Sequence, residues 1–185
     1  MGFTFRPADR RRIVLTEALL AGLIVLATVT VFLAAMLPAR ATELAEMPGF
    51  RPGTIVVSQH QRRLYLVLDG SGTALRYPVA VGRFGKQWRG MATVDGKYVE
   101  PAWAPPAEVK RAEPWLPDYI PGGSPHNPMG ARALTLSGDQ YAIHGTNRPG
   151  SIGTAASFGC IRMLNRDIVD LYERVPVGTP VVMLP

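Results

Sequence analysis

The residues most able to do chemistry are the single cysteine of the chain, Cys160, and a histidine sixteen residues before it, His144. Both lie in one segment, which reads IHGTNRPGSIGTAASFGCIRMLN from residue 143 to residue 165. A free thiol has a pKa of about 8.5 and attacks efficiently only beside a base or in a positive field. His144 closes the short apolar run 141–143, as a residue at the end of a β-strand would. We therefore interpret the two residues as a nucleophile and its base.

Two neighbours of the cysteine add to this interpretation. Gly159 lets the backbone approach closely, so the amides of Gly159 and Cys160 could face a developing oxyanion. Arg162 could lower the thiol pKa or hold a substrate carboxylate, although a loop-shaping salt bridge explains an arginine equally well. A lone cysteine is more often a small buried apolar residue, and a lone histidine is more often a core residue. The combination favours acyl chemistry at a cysteine.

The same segment resembles the signature of the L,D-transpeptidase catalytic domain, also called the YkuD domain. The resemblance extends from roughly Gly53 to the end of the chain. In that family the cysteine attacks an acyl centre of a peptidoglycan stem peptide, the histidine of the HG pair is the base, and the next carbonyl orients that histidine. The resemblance assigns these roles to Cys160, His144 and the backbone of Gly145. Its motifs are IHGTN at 143–147, Ser157, GCIRM at 159–163 and NPMG at 127–130.

The resemblance implies a reaction and its partners. The thiolate would attack the carbonyl at the L-centre of a diamino acid in a stem tetrapeptide and expel D-alanine, and an amine of a neighbouring stem would resolve the thioester. Arg162, Asn147 and Ser157 are expected to contact this substrate. Phe158 stands where the family commonly has histidine, and this difference is expected to affect contacts with the substrate more than catalysis. No cofactor is implied, and no cluster of His, Cys or carboxylate residues has the spacing of metal ligands.

Other functions stay open at this point. Water as the acceptor would make the protein an L,D-carboxypeptidase, and a protein amine would attach that protein to the wall. A protein of another class, a catalytically silent cell-wall-binding module, would have no need for a thiol beside a base.

The N-terminal 41 residues predict export. Four arginines precede an uncharged run at 18–37, which at about 1.5 Å per residue is just long enough to cross a bilayer core of about 30 Å. The arginines keep the N-terminus cytoplasmic, so the remainder is expected to be periplasmic or otherwise extracytoplasmic. Ala39-Arg40-Ala41 has the small-x-small form of a signal-peptidase site, so a cleaved signal and an uncleaved inner-membrane anchor both stay open.

The net charge and the single cysteine limit the kinds of binding partner and of disulfide that the sequence predicts. The net charge is +6, and residues 1–41 hold +3 of it, from five Arg against Asp9 and Glu17. The remaining +3 is too small and too scattered to predict nucleic-acid binding. A single cysteine excludes an internal disulfide, and catalysis gives a lone thiol in an oxidising compartment a purpose.

The rest of the chain predicts one mainly β domain at 54–185, after a linker at 42–53 that is rich in Pro and Gly. A helix capped by Asn165 should precede the last strand, a short helix or turn should lie at 151–157, and the proline-rich loop 103–128 should pack Trp103, Trp115 and Tyr119 over a groove. The resemblance implies a β-sandwich or barrel-like fold with one or two short helices. Strands are predicted at 54–58, 63–68, 74–81, 132–136, 140–144 and 181–184, with a hairpin at 91–103 around Asp95-Gly96-Lys97.

Overall fold

The computed structural model describes residues 43–138 and 141–185, so the predicted signal or anchor segment at 1–41 lies outside the described residues. Two α-helices occur within them, α1 at Ala107–Ala112 and α2 at Asn165–Arg174, and a 3₁₀ turn at Pro149–Ser151. The described residues also form ten strands: β1 Glu43–Glu46, β2 Ile55–Ser58, β3 Arg63–Val67, β4 Thr73–Gly82, β5 Gly90–Val99, β6 Arg132–Leu136, β7 Ala142–His144, β8 Ala155–Ser157, β9 Ile161–Met163 and β10 Pro180–Leu184.

Eight of these strands form a closed ring. The order β4-β3-β2-β10-β5-β6-β7-β9 returns to its start because β4 pairs with β3 near its beginning and with β9 near its end. The remaining strands, β1 and β8, both pair with β4 outside the ring. Closure leaves few unpaired edges. The prediction of a mainly β, barrel-like domain with few helices is confirmed.

Two apolar clusters hold the sheet together. The larger fills the inside of the ring with alternate strand residues, among them Val57, Leu64 and Ile143, and α2 adds Ile168 and Leu171. The smaller lies on the other face of β2 and β3, under β1. Strands β2 and β3 are thus buried on both faces, which explains their nearly continuous apolar sequences.

The prediction of a linker at 42–53 is wrong for its first residues. Glu43–Glu46 forms β1, which pairs antiparallel with β4 from Glu43 opposite Arg76 to Glu46 opposite Thr73. Ala45, Met47 and Phe50 pack against the smaller apolar cluster. The prolines and glycines that suggested a linker instead shape the turn that follows the strand.

The predicted hairpin around Asp95-Gly96-Lys97 is a single strand, β5, with a bulge. Val94 lies opposite Leu136 and Gly96 opposite Thr135, so Asp95 is the extra residue. A Cβ on Gly96 would lie 2.6 Å from Thr135 Oγ1 and 2.7 Å from the Tyr98 ring. The glycine therefore marks a close approach within the sheet, and not a turn.

The proline-rich segment 103–128 also differs from prediction. It contains α1, which begins directly after Pro105-Pro106, where proline is tolerated because the first amides of a helix have no helical partner. Trp103 and Ile120 bridge the two ends of the segment. Trp115 and Tyr119 remain 76% and 62% exposed, so the expected packing of these two aromatics is wrong.

The segment 151–157 and the last helix need smaller corrections. The first is the end of the 3₁₀ turn followed by β8, and not a helix. Helix α2 begins at Asn165, but Leu164 occupies the cap position and the side chain of Asn165 binds elsewhere. Within residues 43–138 and 141–185, no helix is both long enough and apolar enough to cross a membrane.

Candidate active site

The register of β7 and β9 places Cys160 and His144 on the same face of the sheet. The two strands are parallel, with Ile143 opposite Ile161 and His144 opposite Arg162. Since side chains alternate along a strand, the two isoleucines point into the core while His144 and Arg162 point the other way. Cys160, two residues before Arg162, shares that face. All three line one cavity of about 740 Å³.

His144 is held as a neutral base. His144 is 4% exposed, and its Nδ1 lies 2.7 Å from the carbonyl oxygen of Gly145. A carbonyl only accepts, so the proton is assigned to Nδ1, and Nε2 is then the ring nitrogen without a proton. Burial, with the nearby charge of Arg162, lowers the pKa of His144 to about 4. The contact with Gly145 that the sequence predicts is thus present.

The thiol of Cys160 is also held neutral. Burial raises the pKa of Cys160, while a hydrogen bond with the backbone of Ala142 and the charge of Arg162 oppose that rise. A raised thiol pKa beside a lowered imidazole pKa leaves the proton on sulfur. These two pKa shifts favour a base that takes the proton during attack over a pre-formed thiolate–imidazolium pair.

An aromatic pair supports the turn that carries Cys160. Trp88 and Tyr141 stack with ring centroids 5.6 Å apart, and Trp88 Nε1 donates to the carbonyl oxygen of Gly159 at 3.2 Å. Gly159 has a φ of +126°, and a Cβ there would lie 2.2 Å from the Tyr141 ring. Only glycine fits this position. The sequence does not predict this contact between the two aromatics, since nothing in their spacing points to it.

Ser157 organises the same turn from the other side. Its hydroxyl donates to the carbonyl oxygen of Cys160 at 2.6 Å and accepts the amide of Gly159 at 3.1 Å. Ser157 is 1% exposed. The Gly159 amide is therefore engaged inside the turn, in contrast to the expectation that it faces an oxyanion. The hydroxyl of Ser157, expected to contact substrate, is likewise used within the turn.

Asn165 fixes the turn that follows His144. Its Oδ1 accepts the amides of Ala131 at 3.1 Å and Thr146 at 3.0 Å, and its Nδ2 donates to the carbonyl oxygen of Thr146 at 3.1 Å. A Cβ on Gly130 or Gly145 would lie 2.2 Å from this Oδ1. The two glycines leave room for the amide. The prediction that Asn165 caps the helix is wrong, since its side chain fixes this turn instead.

The remaining predicted residues line the same cavity. Asn147 Nδ2 donates to the carbonyl oxygen of His126 at 2.9 Å, which ties the end of the proline-rich segment to the site. Arg162 is half-buried and makes no ion pair with residues 43–138 or 141–185. Phe158 also lines the cavity, with the guanidinium of Arg83 3.7 Å from its ring centre.

In the described part of the chain, no group of three or more His, Cys, Asp or Glu could hold a metal ion.

Comparison with known proteins identifies the family. Residues 52–183 match the family model of the L,D-transpeptidase catalytic domain, YkuD. This chain belongs to that family. The match runs from before β2 into β10 and includes the turn that carries Cys160 and the strand that ends at His144.

Individual relatives agree with the family. A probable L,D-transpeptidase of Escherichia coli, YbiS, is 42% identical over 135 residues, which are 69% of this chain and 43% of that protein. A putative L,D-transpeptidase of Bacillus licheniformis, YkuD, is 39% identical over 75% of this chain and 73% of its own length. This chain thus spans less than half the length of YbiS.

The fold has solved counterparts. A solved structure of an L,D-transpeptidase from Mycobacterium smegmatis superposes on 71% of this chain and 58% of its own, with a TM-score of 0.57 at 18% identity. At that identity the likeness shows the fold alone. It supports the barrel-like architecture of the L,D-transpeptidase domain.

Proposed function

We propose that this protein is a peptidoglycan L,D-transpeptidase that forms cross-links through a thioester on Cys160. One observation carries the proposal: His144, kept neutral by burial and fixed by the carbonyl of Gly145, lies on the same face of the sheet as the thiol and lines the same cavity. Membership of the L,D-transpeptidase family supports the stem peptide as the acyl donor.

The first half-reaction forms the acyl-enzyme. His144 Nε2 removes the thiol proton as the sulfur of Cys160 attacks the carbonyl at the L-centre of the diamino acid. The tetrahedral intermediate collapses when the bond to the terminal D-alanine breaks, and the imidazolium of His144 protonates the leaving amine. A thioester and free D-alanine result.

The second half-reaction transfers the acyl group. A neutral amine of a neighbouring stem attacks the thioester, His144 takes the proton from that nitrogen, and the sulfur leaves and is reprotonated. The product is an amide cross-link and the enzyme returns to its starting state. Water in place of the amine would give a carboxypeptidase, so the acceptor determines the outcome.

Arg162 and Asn147 are proposed to position the donor. Arg162 points into the cavity from β9 beside Cys160, where its guanidinium can bind a substrate carboxylate. Asn147 is exposed, and its side-chain nitrogen donates to the carbonyl oxygen of His126. Its side-chain oxygen can therefore accept a hydrogen bond from a ligand. Ser157 and Gly159 act through the shape of the nucleophile turn.

The location follows from the same proposal. Residues 1–41 would direct export, and residues 54–185 would do the chemistry outside the cytoplasm, with an inner-membrane anchor if the segment is uncleaved. Cell fractionation followed by mass spectrometry of the intact N-terminus tests this. A protein found in the cytoplasm would contradict it.

Intact-mass spectrometry of the acyl-enzyme tests the chemistry. The purified protein is incubated with a disaccharide tetrapeptide, and an adduct equal to the donor minus alanine is expected on wild type and absent from Cys160→Ala. His144→Gln should form the same adduct on the order of 100-fold more slowly, because base catalysis contributes about that factor. An adduct that persists in Cys160→Ala would contradict the assignment of the nucleophile.

A further inference from the structure

Three carboxylates line the cavity, and one of them has no described partner. Glu108 is paired with Lys86, and Asp95 accepts a hydrogen bond from the hydroxyl of Thr135. Within residues 43–138 and 141–185, the side chain of Glu113 makes neither an ion pair nor a hydrogen bond. Glu113 is half-buried and lines the cavity. A carboxylate in this situation can readily bind a cation.

The backbone of Glu113 is held in place. It directly follows α1, its amide donates to the carbonyl of Val109 at 2.8 Å, and its carbonyl accepts the amide of Leu116 at 3.2 Å. The helix is joined to the loop after β4 by the pair of Lys86 and Glu108. The backbone that carries this carboxylate is therefore held in place beside the cavity.

Two cations line the same cavity. Arg162 comes from β9 and Arg148 from the loop after β7, and neither makes an ion pair in the described part of the chain. The charge of Glu113 opposes the effect of burial on the pKa of Arg162, so the two groups are close enough to interact without being paired. The lining of the cavity that contains Cys160 therefore includes one carboxylate and two guanidinium groups that make no ion pair in the described part of the chain.

We propose that Glu113, together with Arg162 and Arg148, forms a subsite for a zwitterionic amino-acid head group. On the proposed function, on which this inference rests, that group is the ammonium and carboxylate at the far end of the diamino acid whose L-centre is attacked. Glu113 binds the ammonium and the arginines bind the carboxylate. A ligand that carries only a carboxylate gains nothing from Glu113, and one that carries only an ammonium meets two like charges.

Binding to a full-length protein that cannot react tests this subsite without turnover. Three tetrapeptides that differ only at the third residue are titrated into Cys160→Ala by calorimetry: meso-diaminopimelate carries both charges, lysine only the ammonium, and 2-aminopimelate only the carboxylate. The tightest binding is expected for meso-diaminopimelate. Glu113→Gln in the same background should weaken the two ammonium-bearing peptides about tenfold or more and leave 2-aminopimelate within about twofold.

Glu108→Gln is the matched control, because it removes a carboxylate from the same rim whose partner is Lys86. It should change all three affinities by one common factor. Equal weakening of all three peptides by Glu113→Gln would mean that Glu113 only shapes the rim, and unchanged affinities, or no binding of any peptide, would likewise overturn the subsite. A wild type that binds selectively but forms no acyl-enzyme would instead contradict the proposed reaction and leave the subsite standing.

Discussion

At the scale of single residues, the candidate site depends on burial. His144 and Cys160 are both withdrawn from water, which favours the neutral form of each and leaves the proton on sulfur until a substrate arrives. The residue types and the role of the Gly145 carbonyl could be predicted from the sequence. The engagement of the Gly159 amide by Ser157 could not, because it depends on a turn whose shape is set by residues distant in sequence.

The buried imidazole should make stability depend on pH. The pKa of His144 is about 4 in the folded protein and about 6.5 when unfolded, so on acidification the unfolded state takes up the proton first. Stability from this group is fully present above pH 6.5 and is lost as the pH falls to about 4. Relative to His144→Gln, the wild type should lose about 3 kcal/mol over that range, measured by urea unfolding.

Subtracting the His144→Gln values removes the contributions of other titrating groups, such as Asp167, whose pKa is raised by burial in both proteins. A wild-type stability that stays constant relative to the variant from pH 7 to pH 4 would show that His144 is not held neutral.

Residue 159 should need to be glycine both for its positive φ and because a side chain there would collide with the Tyr141 ring. Gly159→Ala and Gly153→Ala both place a side chain at positive φ, +126° and +86°, at a cost of about 1 kcal/mol each. Only the first also drives a Cβ to 2.2 Å from the Tyr141 ring, since nothing lies within 4 Å of a Cβ at Gly153. Gly159→Ala should therefore slow acyl-enzyme formation on the order of 100-fold, and Gly153→Ala should change it little. Similar rates for both variants would refute this role for the Tyr141 contact.

At the scale of elements, short strands position the site and side chains join them. Strands β7 and β9 contribute three residues each, and their parallel pairing brings together the two ends of the segment 145–160. The strands themselves are recognisable from apolar runs. The connections made by Asn165 and by Trp88 cannot be recognised in the same way. A polar residue at the start of a helix is usually a cap, and an aromatic residue in a loop has no single expected role.

Loss of the Asn165 amide should loosen the turn after His144. Asn165→Ala removes two accepted hydrogen bonds and one donated bond, and leaves the amides of Ala131 and Thr146 without their partner. We expect a loss of about 2 to 3 kcal/mol in the free energy of unfolding and slower acylation. Asn165→Asp keeps the acceptor oxygen and should retain part of the stability. If Asn165→Ala is as stable and as active as wild type, Asn165 does not fix this turn.

At the scale of the whole molecule, closure of the barrel makes the site possible. Strand β10, the last in the chain, pairs with β2 on one side and β5 on the other, so the C-terminus completes the ring that holds β7 and β9. The mainly β class and most strands could be predicted. Strand β1 could not be predicted, because its apolar contacts lie on the outer face of β2 and β3. That this second face is buried depends on the assembled sheet and cannot be inferred from the residues of β1 alone.

The closing strand should matter far more than the edge strand. Val181 of β10 is fully buried in the main core, whereas Leu44 of β1 is 70% exposed. Val181→Ala should cost about 2 to 3 kcal/mol in the free energy of unfolding, and Leu44→Ala less than about 0.5 kcal/mol, by chemical denaturation. Equal costs would contradict a barrel that depends on β10.

We expect Cys160 to transfer an acyl group from one stem peptide to another. The most direct test is mass spectrometry of the products formed from a disaccharide tetrapeptide by wild type and by Cys160→Ala. We expect a dimer with the mass of two donors minus one alanine, formed only by the wild type. Release of alanine without dimer would contradict transpeptidation and show a carboxypeptidase, and no product from folded, reduced protein would contradict the stem peptide as substrate.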